Sequence, residues 1–468
     1  MKRIITATAF ILACSLAGPL FATDNSTISH KIDSLIQNHL PVGVDASVYV
    51  WDLSGDSAVY AHREKMLNRP ASTMKVLTAF TALKTLGPDF NFTTCLKSTA
   101  QVSDSVLHGD LYLTGGFDPQ LTEDDLKSLV SELKNLGIRS INGSVLADVS
   151  MMDSIYWGSG WAWDDTPNSF QPYITPLMIH GGFVTVSVKP GLNGMQPIVT
   201  IAPKNHFLKI DNMARTNVRS LGPINITRDW ISGDNTIIVT GNSEKATGKE
   251  LNIYKPHLFA LSMFLEYLDD AGISYESSCT GRCPSNAEVL ASTYHSLKSV
   301  MKETLKESIN LNAEAMLLQT EHYVTGHAAS FNSAGKFLES FLKRNARTGN
   351  AQFMIVDGSG LSMYDNVPAT VFIDVLRQIY QSRDMFEVFY DCLPVSGRDG
   401  TLKGRLNSWD TIDKVHAKTG TLTGSCTLAG YAKAADGRDL AFCIMNSGAL
   451  KMAPSRRFQD ALCTILCR

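Results

Sequence analysis

Pro70-Ala71-Ser72-Thr73-Met74-Lys75-Val76-Leu77-Thr78-Ala79-Phe80 is the stretch on which the reading of this chain turns. The helical spacing that begins after Ser72 runs to Leu86, where Gly87-Pro88 stops it. Ser72 thus stands where a strand region hands over to an apolar helix, and backbone N–H groups at a helix start can face an anion. Ser72 and Lys75 lie about one turn apart on one helical face. A serine nucleophile needs a base within hydrogen-bonding reach and donors for a developing oxyanion. S-x-x-K alone is a weak signal, because it also starts at Ser131, Ser299, Ser333 and Ser340. For those four, a serine and a solvated lysine on a helix surface is the simpler account. The G-x-S-x-G elbow is absent.

Working outward, residues 29–39 read as an amphipathic helix. Ala46–Leu53 and Ala58–His62 read as a β-hairpin around Ser54-Gly55-Asp56. The C-terminal part mirrors this beginning: Thr419–Leu422, Thr427–Ala432 and Leu440–Met445 read as adjacent strands, with Asp436-Gly437 as a hairpin turn. A last helix is expected from about Arg457 to Cys467. The fold class is α/β, with terminal helices against one antiparallel sheet to which both chain ends belong. Residues 91–285 have a different texture. Short alternating runs (Gly109–Thr114, Ser144–Asp148, Phe183–Val188, Ile198–Ile201, Thr236–Val239) are separated by Gly, Asn and Pro, with one helix over Glu123–Leu136. This predicts a β-rich insertion of one or two domains within a discontinuous domain of residues 23–90 and 286–468. Helical spacing returns over Leu297–His322 and Phe331–Lys343.

The 468 residues, 44% hydrophobic, leave room for about three domains. Residues 1–22 read as a secretory leader, with Lys2 and Arg3 before an apolar run that is too short to span a membrane. Cleavage after Ala22 removes two positive charges, so the net charge of −3 becomes −5 and nucleic acid is not an expected partner. The alternative is a lipobox, Ile11-Leu12-Ala13-Cys14, with Cys14 acylated. An exported protein of the periplasm or cell envelope is expected, soluble or lipid-tethered, with peripheral membrane association as an alternative. Eight of nine cysteines remain after cleavage at Ala22, in a compartment that permits disulfides. Cys279-Thr-Gly-Arg-Cys283 looks like a loop a disulfide could close, whereas Cys463 and Cys467 could equally be packed thiols. Neither pair has zinc-ribbon spacing and no H-E-x-x-H occurs. No metal or other cofactor is expected.

Two further motifs lift the signal. S-x-N occurs at Ser140, Ser308 and Ser330, and Lys418-Thr419-Gly420 is the one K-T-G, opening an expected strand. Ser72 with Lys75, Ser308 with Asn310, and Lys418-Thr419-Gly420 follow the order of the S-x-x-K, S-x-N, K-T-G set. With these motifs the chain resembles the low-molecular-mass class C penicillin-binding proteins, the D-Ala-D-Ala carboxypeptidase/endopeptidase family S13, over nearly its whole length. The 236 residues from Ser72 to Ser308 and the 110 from Ser308 to Lys418 fit that family. The first interval is far too long for a compact β-lactamase. Gly109-Asp110-Leu111-Tyr112-Leu113 with Gly115-Gly116-Phe117-Asp118-Pro119 is similar to a family stretch, as are Gly160-Trp161-Ala162-Trp163-Asp164-Asp165 and Asp357-Gly358-Ser359-Gly360-Leu361-Ser362.

The resemblance implies a penicillin-recognising catalytic domain, peptidoglycan peptides as substrates and β-lactam antibiotics as covalent inhibitors. It implies that Ser72 is acylated at the bond between two D-alanines and that Lys75 is the general base. A free lysine, with a pKa of about 10.4, is almost wholly protonated at neutral pH, which withholds roughly 4 kcal/mol of reactivity. Burial and the Lys418 cation are therefore expected to depress Lys75. By the same resemblance Ser308 relays a proton to the leaving amine and Asn310 holds Lys75 or the substrate amide. Lys418, Thr419 and Thr421 bind the terminal carboxylate beside Gly420, and the Ser72 and Thr421 N–H groups form the oxyanion hole. Asp148 resembles a position near the family's side-chain subsite, although capping explains an Asp equally well. After Asp357–Ser362 the family carries an arginine associated with an acidic group on the third stem residue, and this chain has Met363 there. A neighbouring cation such as Arg383 or Arg398 is the alternative source of that charge. A β-lactamase and a non-catalytic wall-binding scaffold are the rival readings. Carboxypeptidase and endopeptidase action share one chemistry and differ only in the leaving amine.

Overall fold

The computed structural model describes residues 25–346 and 351–468, so the leader, Cys14 and Ala22 lie outside the described residues. Its central sheet has five antiparallel strands in the spatial order Val415–Leu422, Gly424–Lys433, Asp439–Ala449, Asp45–Asp52, Ser57–His62. Both chain ends therefore share one sheet, as expected from sequence. Side chains alternate across it. Leu440, Phe442 and Ile444 pack with Ile32, Leu462 and Leu466 from the terminal helices Asn25–His39 and Met452–Cys467. Ala441, Cys443 and Met445 face the opposite way, into a core with Phe80, Phe372 and Leu376. Burial on both faces explains why the strands 424–433 and 439–449 read as nearly continuous apolar runs.

The second layer holds the helices Met74–Leu86, Leu297–Lys306, Asn310–Thr325, Phe331–Asn345, Ala369–Gln381 and Arg383–Cys392. The single helical stretch expected over 297–322 is in fact two helices. The chain breaks at Ser308, which adopts φ +65°, and the apolar spacing continues across the break.

Residues 91–285 build a separate apolar core around Leu113, Val145, Val186 and Phe264. The chain leaves and returns along neighbouring antiparallel strands, Asn91–Ser98 and Glu288–Ser296. A seven-stranded mixed sheet and smaller sheets account for the alternating runs. Two helices lie here rather than the one expected: Glu123–Asn135, opened by a Thr122 capping box, and Pro256–Asp270. The second is apolar on most sides, so it shows no amphipathic stripe, and its signal is Pro256 in the first turn.

The eight cysteines of the described residues are all free thiols, so the expected 279–283 bridge is absent. Cys279 is paired in a strand beside Leu146, and the Cys283 N–H is held by Asp148. Cys463 and Cys467 are buried, as packed thiols.

Candidate active site

Ser72 sits in a 3₁₀ turn, Ala71–Thr73, that leads into the helix Met74–Leu86. Ala71 is buried at φ +47°, a region alanine rarely adopts, and the surroundings hold it there. The Thr427 hydroxyl donates to the Pro70 carbonyl at 2.7 Å and the Ser425 hydroxyl to the Arg69 carbonyl at 2.7 Å, which pins the turn to the sheet. Two glycines let backbone approach it. A Cβ on Gly420 would fall 2.8 Å from the Pro70 carbonyl oxygen and 3.0 Å from the Ser72 nitrogen. One on Gly360, at φ +78°, would fall 1.9 Å from the Ala71 carbonyl oxygen. The glycines of K-T-G and of Asp357–Ser362 are therefore steric requirements of the Ser72 turn.

Lys75 has no solvent exposure. Its Nζ lies 2.9 Å from Ser72 Oγ, 2.6 Å from Asn310 Oδ1 and 2.8 Å from the Ser359 carbonyl oxygen. Burial lowers its pKa to about 7, against the opposing pull of the Asp357 and Glu314 carboxyls. A neutral amine has two N–H donors and one lone pair. Asn310 and Ser359 offer only acceptors, so they take the two donors and the lone pair is left facing the Ser72 hydroxyl. The Asn310 amide is oriented in turn by Nδ2 donating to the Phe170 carbonyl at 2.6 Å.

Ser308, at the break between helices, accepts from Lys418 Nζ at 2.8 Å, and the same amine donates to the Thr419 carbonyl at 2.9 Å. Lys418 is fully buried, and burial together with repulsion from Lys75 holds its pKa well below the usual lysine value. Burial, rather than the Lys418 cation, leads the depression of Lys75. Ser72, Ser308, Thr419 and Thr421 line one cavity of about 410 Å³. The structure therefore brings together Ser72, Lys75, Ser308, Asn310, Lys418, Thr419, Gly420 and Thr421.

Asp148 is not part of this group. It ends the strand Ser140–Asp148, accepts the Ser150 and Cys283 N–H groups, and lines a different cavity of about 440 Å³ with Lys97 and Gln319. Met363 is 42% exposed, and its sulfur lies 3.4 Å from Arg69 Nη1, two residues before Ala71. The cation beside Met363 is thus Arg69. Arg383 and Arg398 are committed to Glu387 and Asp413.

Glu314 escaped the sequence reading. It is fully buried and accepts the Gly358 and Ser359 N–H groups at 3.0 and 2.8 Å, which fixes the backbone leading up to the Ser359 carbonyl that holds Lys75. Burial and the neighbouring Asp357 raise its pKa to about 8. Asp357 accepts from Gly360, Ser362 and the Trp161 indole, and so ties the glycine loop to the insertion. The signal for Glu314 was an acid one turn after Asn310 inside an apolar helix.

Comparison with known proteins agrees with this geometry. Residues 28–468 match the family described as the D-Ala-D-Ala carboxypeptidase 3 (S13) family. A D-alanyl-D-alanine carboxypeptidase of Actinomadura sp. (strain R39) is 30% identical over 455 residues, spanning 93% of this chain and 83% of that protein. A D-alanyl-D-alanine carboxypeptidase of Haemophilus influenzae is 27% identical over 441 residues, 92% of this chain and 90% of that one. The crystal structure of penicillin-binding protein 4 from Haemophilus influenzae superposes with a TM-score of 0.82 at 26% identity, covering 92% of this chain and 98% of that one. Its complex with a β-lactam gives 0.77 at 25% identity over the same shares. With Ser72 hydrogen-bonded to a buried Lys75 at its centre and a family match over residues 28–468, the chain belongs to the S13 family of D-Ala-D-Ala carboxypeptidases.

Proposed function

We infer that this protein is a serine-type D-Ala-D-Ala carboxypeptidase that cleaves peptidoglycan stem peptides through an acyl-enzyme on Ser72 and is blocked there by β-lactams. The observation that carries this reading is the Lys75 amine, fully buried, with two acceptors for its hydrogens and Ser72 Oγ at 2.9 Å. The Ser72 proton passes to Lys75 Nζ as Oγ bonds to the carbonyl carbon of the penultimate D-alanine. The oxyanion is met by the Ser72 and Thr421 N–H groups. As the C–N bond breaks, the leaving amine takes a proton through the Ser308 hydroxyl, which Lys418 holds in place. With its first proton passed on to that amine, Lys75 is neutral again; water then attacks the ester, its proton going to Lys75 Nζ and from there to Ser72 Oγ as the ester C–O bond breaks, and the shortened peptide leaves.

Residues 23–90 and 286–468 form the catalytic domain of this reading and residues 91–285 its insertion. Action on peptidoglycan places the protein outside the cytoplasm, in keeping with the leader-like residues 1–22. Among the described residues no helix is long and apolar enough to cross a membrane. Incubation with crosslinked and uncrosslinked muropeptides, followed by mass analysis, tests the reaction. Loss of one D-alanine is expected, with none from Ser72→Ala. Intact-mass analysis with a penicillin should show one adduct mapping to Ser72, and an adduct of equal stoichiometry on Ser72→Ala would refute the assignment.

A further inference from the structure

The expectation that Lys418 grips the substrate carboxylate meets a geometric obstacle. Side chains alternate along a strand, so Thr419 and Thr421 share the face that lines the cavity at Ser72, while Lys418 and Gly420 share the other. Lys418 has no exposure and does not line the cavity, and its amine is occupied by the Ser308 hydroxyl and the Thr419 carbonyl. The cavity wall carries two other cations, Arg405 and Arg456. Arg405 is neutralised by Asp460, to which Nε and Nη2 donate at 3.0 and 2.6 Å. Arg456 is different. It is exposed on the helix Met452–Cys467, has no carboxylate within ion-pairing distance among the described residues, and places Nη2 3.4 Å from Thr421 Oγ1. Arg405 Nη2 lies 3.4 Å from the Arg456 carbonyl oxygen, which steadies the backbone that presents this side chain.

We propose that Arg456 reads the free carboxylate at the end of the substrate, completing a clamp with the Thr419 and Thr421 hydroxyls. The inference rests on the acyl-transfer reading of Ser72. It divides the labour of the K-T-G strand: Lys418 is a positioning residue that acts through Ser308, and the charge that selects a free C-terminus comes from the last helix. An arginine facing open cavity suits a carboxylate, beside a Thr421 hydroxyl that accepts from it and keeps its own proton to donate, and a Thr419 hydroxyl that donates to Thr401 Oγ1 at 2.9 Å and turns to the carboxylate when substrate arrives.

The test uses matched acyl-peptides ending in D-Ala-D-Ala as the free acid and as the C-terminal carboxamide, with release of D-alanine or D-alaninamide followed by mass spectrometry. Wild type should favour the acid in kcat/KM by about tenfold to a hundredfold, the range of one charge-assisted contact. In Arg456→Gln the preference should fall to within a few-fold of one, chiefly through KM for the acid. Arg456→Lys should lie between, and it serves as the deciding variant if Arg456→Gln proves unstable in thermal unfolding. A preference unchanged in both variants, or absent in wild type, overturns the proposal. If wild type releases neither product and takes up no penicillin at Ser72, the reading beneath it fails first and this inference with it.

Discussion

Replacing Lys75 by arginine, and separately titrating the wild type, tests the central step. A lysine at its usual value of 10.5 is neutral in about one molecule in three thousand at pH 7, whereas at about 7 it is neutral in about half. That difference amounts to about 4 kcal/mol of base made available by burial. The sign follows from which form works: lowering the pKa leaves the neutral base present above about pH 7 and removes it below. Stopped-flow acylation by a fluorescent penicillin from pH 5 to 9 should therefore rise about tenfold per pH unit at first and level off near 7. Lys75→Arg keeps a permanent charge and should acylate more slowly by at least about a thousandfold, consistent with a guanidinium pKa above 12. Circular dichroism should show that it remains folded. A rate flat across this range, or an arginine variant within tenfold of wild type, would refute the neutral-base argument.

Ser308→Ala removes the hydroxyl at the end of the Lys418 hydrogen bond and should lower kcat for peptide cleavage by about a hundredfold or more, measured as D-alanine release. Gly420→Ala pushes a methyl group to 2.1 Å from Thr427 Oγ1 and toward the Ser72 turn; thermal unfolding should show a loss of about 1–3 kcal/mol, and an unchanged midpoint would contradict the close approach. Arg69 supplies the cation beside Met363, so Arg69→Gln should cut any preference for a third stem residue carrying a free carboxylate by about tenfold to a hundredfold, read from kcat/KM on diaminopimelate and lysine peptides. Equal ratios in wild type and variant would remove Arg69 from that role.

Much of the site is legible in sequence because its chemistry demands particular side chains in a particular order. Ser72, Lys75, Ser308, Asn310 and Lys418 could be picked out from the order and spacing of three motifs, and Ser72 and Lys418 also from the element each opens. The sheet was legible too, since alternation and the Asp436-Gly437 turn are local signals. What stayed hidden depends on approach between distant segments. The break at Ser308 interrupts no apolar period, so nothing local marks it. Glu314 reads as one more helical acid until its carboxyl is found against the Gly358 and Ser359 amides. Arg456 lies 384 residues from Ser72, and no spacing rule relates a final helix to a cavity. The 279–283 pair shows the opposite failure: close in sequence, yet free thiols, Cys279 paired in a strand and the Cys283 N–H held by Asp148.

The bond from Asn310 to the Phe170 carbonyl has a consequence for how this protein tolerates mutation. The Asn310 amide is read by main chain, while Phe170 itself is 47% exposed. Position 170 should accept almost any residue, whereas adding or removing one residue between Thr166 and Pro172 should displace the carbonyl and free the amide to rotate. In a saturation library selected for penicillin binding, this loop should be permissive in identity and rigid in length. Insertions surviving there at the rate of substitutions would show that the carbonyl is dispensable.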